Sequence, residues 1–336
     1  MSVLSIEAVG AITPVGEDAP ATVGSIFAEA QALEASPAKG ADERPVGTAT
    51  PIPATVKGID RLVALGGFAL REATSGLAKG TEIGLVACVP SEKDEPELVG
   101  QAASLLSRLA AEADLAVAAK VSRVFGAGPN AIVEALLYAR ATLQAQSLSA
   151  ICVLGVDSLV STSRRTLRDG SVPVESFVPG EAAAAILLDV RPGPDSLAIL
   201  AGVGLAPSLG AQSAEPNLGK GINSAVDKAV ADAKLPNALF AALVHDFPSS
   251  QAGCEELAWI KGCPSLRISP EVHIVSPPFS TGATGAASGI LSLVTLAFLI
   301  EKKVIADPGL CLLASEGTHR GAAILTPPPL QKAAKR

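Results

Sequence analysis

One stretch constrains this chain more than any other: residues 276–300, SPPFSTGATGAASGILSLVTLAFLI. It opens on a turn signal at Pro277-Pro278, passes through a loop of small residues and ends in a long apolar run. Gly282, Gly285 and Gly289 recur at helical spacing, with Ala286 and Ala287 between them. Small residues so placed let a second backbone come close to the start of a helix. From Ile290 onward the run is apolar on every face. Such a helix is either central to a large protein or spans a bilayer. A span needs roughly 20 apolar residues, and here the apolar part is shorter, its first third being Gly and Ala. The expectation is a central buried helix with layers on both sides, hence a large α/β architecture.

The 336 residues suffice for two domains or one double domain. Hydrophobic residues make up 49% of the chain and aromatics 3%, which favours close helix-on-sheet packing through small side chains. The net charge of −7 comes without any basic cluster, so neither nucleic acid nor a membrane is expected as a partner. The opening MSVLSIEAVGAITPVG has no basic segment and no cleavage pattern, and no signal peptide is expected. Of the five cysteines, Cys88, Cys152 and Cys311 sit in apolar strand-like runs, where inert buried thiols are the default. Cys254 and Cys263 add no paired metal spacing, and no metal or cofactor is expected. An odd number of cysteines without a secretion signal fits a reducing cytoplasm.

Apolar runs predict strands over 2–9, 82–89, 122–125, 150–156, 182–188, 197–205, 241–244, 272–275, 310–314 and 322–325. Helices are expected over 21–33, 58–77, 98–120 (in one or two pieces), 131–143, 221–233 and 255–260. A Pro/Gly linker at 191–195 divides a first half, 1–190, from a second, 196–330, with a frayed tail at 331–336. Each half begins with a strand, passes through a buried helix opened by small residues, and ends on paired strands. The first buried helix starts near Pro129 and the second near Gly285. This is a duplication in element order, not in residue identity. Gly126 to Ala131 also satisfies a Gly-x-Gly-x-x-Ala dinucleotide pattern at a strand-to-helix turn. Its preceding strand is short and holds Arg123, and Asp157 comes later than the ~20 residues expected of the ribose-binding acid.

The run GATGAASGILSLVTLAFLIEKK resembles the helix of β-ketoacyl synthases that follows their Gly-His-x-x-Gly-Ala-Ala-Gly motif. Val156-Asp157-Ser158-Leu159-Val160, with Phe177-Val178-Pro179-Gly180-Glu181-Ala182-Ala183, is similar to the segment behind the family's nucleophile helix. Ile12-Thr13-Pro14-Val15-Gly16 resembles the family's opening turn, and Ser315-Glu316-Gly317 with Gly321-Ala322-Ala323 its closing hairpin. The resemblance implies the thiolase-like fold: two similar βαβαβαββ-type halves stacked in α-β-α-β-α layers, usually dimeric. It also implies an acyl carrier protein or acyl-CoA thioester as partner, and a homodimer or a heterodimer with an active synthase.

A condensing enzyme needs a thiol at a helix N-terminus, where the helix dipole and backbone N–H groups lower its pKa and hold the thioester oxygen. The resemblance puts that position within Gly128 to Asn130, where no Cys stands. Asn130 is the expected occupant, or Ala127 or Gly128 if a short gap intervenes. An amide is no nucleophile but can donate to an acyl oxygen; its ordinary role there is a helix-start cap. His245 falls at the first catalytic His, with Glu256 at the family's eleven-residue distance. Its loop is altered to Asp246-Phe247-Pro248-Ser249, with Gly253 in place of an acid. The second His is expected at or near Gly282 and the family's Lys at Pro277, and neither residue type stands there. Gly128, Phe279 and Gly285 could line a pocket. His273 reads as a strand residue, His319 as exposed, Arg164 and Arg165 as a solvated loop, and Trp259 as core or interface. The resulting expectation is a condensing-enzyme fold that has lost condensation and serves as a non-catalytic or acyl-binding partner subunit. The alternatives are a residual thioester decarboxylase or hydrolase using His245 and, more weakly, a dinucleotide-binding protein.

Overall fold

Long strands buried on both faces dictate the architecture, because each must be covered twice. The computed structural model describes residues 3–32, 46–49, 51–145, 148–160, 178–208, 219–247, 257–258, 260, 266–313 and 319–329. The first part of the chain runs β1 (Leu4–Ile12), α1 (Ala19–Phe27), α2 (Gly58–Thr74), β2 (Glu82–Cys88), α3 (Ala102–Glu112), β3 (Ala116–Val117), β4 (Arg123–Phe125), α4 (Ala131–Ala145), β5 (Ile151–Ser158) and β6 (Glu181–Asp189). The second runs β7 (Ala198–Pro207), α5 (Lys220–Ala233), β8 (Phe240–His245), β9 (Ile268–Val275), α6 (Pro277–Thr281), α7 (Ser288–Glu301), β10 (Gly309–Leu313) and β11 (His319–Thr326).

The strands follow one path, β3-β2-β5-β6-β1-β7-β11-β10-β8-β9, with β4 beside β2. Read from its two ends, the path repeats. β2 lies parallel to β3 and β5, as β8 lies parallel to β9 and β10. β5 and β6 are antiparallel, as are β10 and β11, and β6 meets β1 as β11 meets β7. The two ends of the path join where Leu4, Ser5 and Ile6 face Leu200, Ile199 and Ala198. This is the thiolase-like α/β fold, and the duplication expected from element order is present in the strand order.

Alternating side chains feed three cores. Ile151 and Val153 of β5 face the central core with α4 and α7, while Cys152, Leu154 and Val156 face α2 and α3 on the outside. In the second sheet, Cys311 and Leu313 of β10 face the centre, and Leu310 and Leu312 face α5. Apolar residues on both faces of a strand thus report a sheet sandwiched between helix layers. Helix α7 is buried around almost its whole circumference, as its sequence required. Its polar hydroxyls are absorbed locally: Ser292 donates to Ser288 O at 3.0 Å and Thr295 to Leu291 O at 2.8 Å. Across the middle, the Arg140 guanidinium on α4 donates to Asp232 on α5, and Asp232 also accepts from the Val203 N–H at 3.0 Å.

The expected helix over 98–120 is corrected. The structure has a 3-10 turn at Pro96–Leu98, then α3, and the chain leaves the helix through Asp114 at φ 51°. Ala116 and Val117 then pair with Glu82 and Ile83, so sheet pairing overrides the helix propensity of Ala. Helix α1 stops at Phe27 rather than near residue 33, with Glu29 turned to φ 54°. The turn and loop expected at 277–281 are the short helix α6. Of the helix expected over 255–260, residues 257, 258 and 260 are helical, and Trp259 lies outside the described residues.

Central packing depends on missing side chains. A Cβ on Gly155 would stand 2.7 Å from Ala286 O, and one on Gly289 would stand 2.8 Å from Ile132 Cγ2. Gly155→Ala meets backbone that cannot yield, and we expect it to cost about 1–3 kcal/mol. Gly24→Ala, on the outer face of α1 with nothing within 4 Å of the new methyl, should instead stabilise by about 0.5–1 kcal/mol. Urea unfolding of both variants checks the contrast.

Candidate functional site at the paired helix starts

The two buried helices begin beside one another. Each is entered through a 3-10 turn, Gly128–Asn130 before α4 and Gly285–Ala287 before α7, and the turns pack together. At the first, Gly128 takes φ 58° and its N–H donates to Val89 O at 3.1 Å. Gly128 is buried, yet no described residue lies within 4 Å of where its Cβ would be. Ala127, not Asn130, is the cap of this turn. Asn130 is the last residue of the turn, and its buried Oδ1 has no hydrogen-bond partner.

The second start is held from outside. Asp157, at the end of β5, accepts the Ala286 N–H through Oδ2 at 3.0 Å and the Ser158 N–H through Oδ1 at 2.8 Å. Gly285 makes room for that carboxylate: at φ 51°, its Cβ would lie 2.0 Å from Asp157 Oδ2. The preceding loop is pinned as well, with Ala283 N–H donating to Val178 O at 2.8 Å and Gly180 N–H to Ala283 O at 2.9 Å. Gly282 takes φ 72° there. Glu181, next along β6, is fully buried and accepts from Arg61, from the Ala49 N–H at 2.7 Å and from the Ser158 hydroxyl at 2.8 Å. Together these bonds make residues 157–158 and 178–181 a rigid wall behind the start of α7.

His245 ends β8, only 7% exposed, and its ring centroid is 5.6 Å from that of buried Phe247. Asp246 beside it is 4% exposed and lies 3.2 Å from the Ser288 hydroxyl at the first residue of α7. Asp246 therefore reaches the second helix start, with His245 next to it at the end of β8. Pro277 is buried at the first position of α6, four residues behind Thr281. Phe279 stands 48% exposed on α6, with its carbonyl accepting from Gln31. His273 lies on the edge strand β9, its ring 6.0 Å from that of Phe27, and His319 is half-buried rather than exposed. Asp157 is spent on Ala286 and is 1% exposed. Glu256, Gly253, Pro248, Ser249, Arg164, Arg165, Phe177, Ser315, Glu316, Gly317, Cys254 and Cys263 lie outside the described residues.

The described cysteines are buried thiols. Burial pushes Cys152 up to about 12 and Cys88 higher still. Burial also raises Cys311, with the nearby Asp246 carboxylate adding to it. Among the described residues no helix is long and apolar enough to cross a membrane, and no His/Cys/Asp/Glu group is placed to hold a metal.

No protein-family model and no curated protein matches the chain. Solved structures do. The ishigamide ketosynthase/chain length factor superposes with a TM-score of 0.78 at 16% identity, over 96% of this chain and 99% of that one. The chain has the thiolase-like fold of the ketosynthases. A type II PKS acyl-carrier protein in complex with its ketosynthase bound to the hexaketide gives a TM-score of 0.76 at 13% identity, over 97% of this chain and 99% of that one. The PfaC keto synthase–chain length factor gives 0.74 at 16% identity; it is covered over 43% of its length by 98% of this chain.

Sequence reasoning missed the Asp157–Ala286 bond and the Ser288–Asp246 contact. Both join residues far apart in the chain, and the only visible signals were a strand-end acid and a glycine at the matching helix start. Gly285→Ala should cost about 2–4 kcal/mol, from its left-handed backbone and the clash with Asp157. In an Asp157→Ala background the clash disappears, so the second substitution should cost at least about 1 kcal/mol less. A denaturation double-mutant cycle reads that coupling directly.

Proposed function

We propose that this chain is a non-catalytic ketosynthase-like subunit. It binds an acyl thioester, free or on an acyl carrier protein, at the paired helix starts, and it pairs with an active synthase or a second copy of itself. The observation that carries this reading is the first helix start itself. Residues 126–131 are Gly-Ala-Gly-Pro-Asn-Ala, with neither thiol nor hydroxyl where an acyl group would have to be attached. Covalent acyl transfer needs an activated nucleophile, and the described thiols are buried, protonated and inside strands. Two of the similar structures are ketosynthase/chain length factors and another holds a ketosynthase with its acyl-carrier protein, which supports a partner of that chemistry here. On this reading residues 1–190 and 196–330 are the duplicated halves, and the protein works in the cytoplasm.

A second reading rests on His245. A buried His at the end of β8, next to the Asp246 that contacts the start of α7, could polarise a thioester carbonyl towards hydrolysis or decarboxylation without an acyl-enzyme. The two readings separate in one experiment. The full chain is incubated with acyl-CoA and acyl-carrier-protein thioesters, and intact mass and thioester loss are followed together with native mass spectrometry for complexes. The partner-subunit reading predicts no acyl adduct, no thioester loss above background, and a complex with the acyl carrier protein. Thioester loss that His245→Ala abolishes would establish the second reading instead. A stable adduct on any cysteine overturns both.

A further inference from the structure

At the junction of the two helix starts, the polar groups left over have a chemistry of their own. The Thr284 hydroxyl, on the residue that caps the Gly285–Ala287 turn, is 1% exposed and has no hydrogen-bond partner. Asn130 Oδ1, on the turn packed against it, is buried and equally unpartnered. Buried polar groups are ordinarily satisfied, so two orphans on turns in mutual contact ask for a common partner. Among the described residues, nothing lies within 4 Å in the Cβ direction of buried Gly128 beside them.

The partner's charge follows from what else is present. Neither 126–131 nor 280–289 contains Lys, Arg or His. The Ala286 N–H, which an anion would seek at the start of α7, is already held by Asp157. Asp157 and Asp246 already place two carboxylates against the start of α7. A third carboxylate would meet those two, with no basic residue on either turn. A neutral hydroxyl suits both orphans, since it can donate to an amide oxygen such as Asn130 Oδ1 and accept from a hydroxyl such as that of Thr284.

We infer that the junction recognises a hydroxyl group on the acyl chain, so the thioester this chain prefers is a hydroxyacyl rather than a fully reduced or a malonyl-type one. This rests on the acyl-binding reading above and specifies its ligand.

The test is calorimetric binding of hexanoyl-, 3-hydroxyhexanoyl- and malonyl-pantetheine to the full chain. The hydroxyacyl thioester should bind about fivefold tighter than hexanoyl, the scale of one satisfied hydrogen bond, with malonyl weakest. Thr284→Val, which keeps the side-chain shape, should bring the ratio of hydroxyhexanoyl to hexanoyl affinity down to about one. Asn130→Leu, on the other helix start, should do the same, so a folding defect in either variant leaves the other to decide. Equal binding of hexanoyl and hydroxyhexanoyl by the native chain overturns the inference while leaving acyl binding intact. So does a preference that survives both substitutions, or a uniform loss for all three thioesters, which would place the contact on the pantetheine arm. If no thioester binds at all, the acyl-binding reading falls and this inference falls with it.

Discussion

The hydrogen bond from Ala286 to Asp157 is the interaction on which the site depends. A buried helix that begins in the middle of a protein has unpaired N–H groups and no water to satisfy them. Here a carboxylate from the other half of the molecule takes one of them, and Gly285 gives up its side chain to let it in. The backbone pairing of Val178 and Gly180 with Ala283 fixes the loop just before it. The start of α7 is thus built largely by residues of the first half. The start of α4 is then set by packing against it.

The same economy runs through the central layer. Gly155 lets β5 lie against the α7 entry, and Gly289 lets α7 lie against Ile132 of α4. The buried Arg140–Asp232 pair reinforces the arrangement across the halves, with the Val203 N–H satisfying a further lone pair of the carboxylate. A buried ion pair contributes modestly to stability as a pair and is costly to break on one side. Its main effect here is to fix how α4 sits relative to α5.

Much of this was legible in the sequence, for identifiable reasons. Continuous runs such as Ala182 to Leu188 announced strands covered on both faces, and the run from Ile290 announced a helix with no outside. The fold followed from those runs and from the order of the small-residue turns. What was not legible depends on distance along the chain. Nothing local to Asp157 says that its partner is Ala286, 129 residues away. Strand β3 was hidden because Ala116 and Val117 are ordinary helix-adjacent residues until Glu82 and Ile83 pair with them. Asn130 resembled a cap in sequence, but Ala127 holds that position, and the difference turned a structural amide into a candidate contact.

The pairing of the first strand has a consequence for how such a chain comes into being. Ser5 faces Asp189, so β1 cannot join its sheet until nearly two hundred residues have followed it. Its other neighbour, β7, comes later still. Strand β1 therefore has no described sheet partner until β6 has been made. Sheets closed by such distant segments assemble slowly and expose aggregation-prone edges while they wait. In a partly folded chain the edge left open is then Leu4–Ile12, the apolar strand on which both ends of the sheet close.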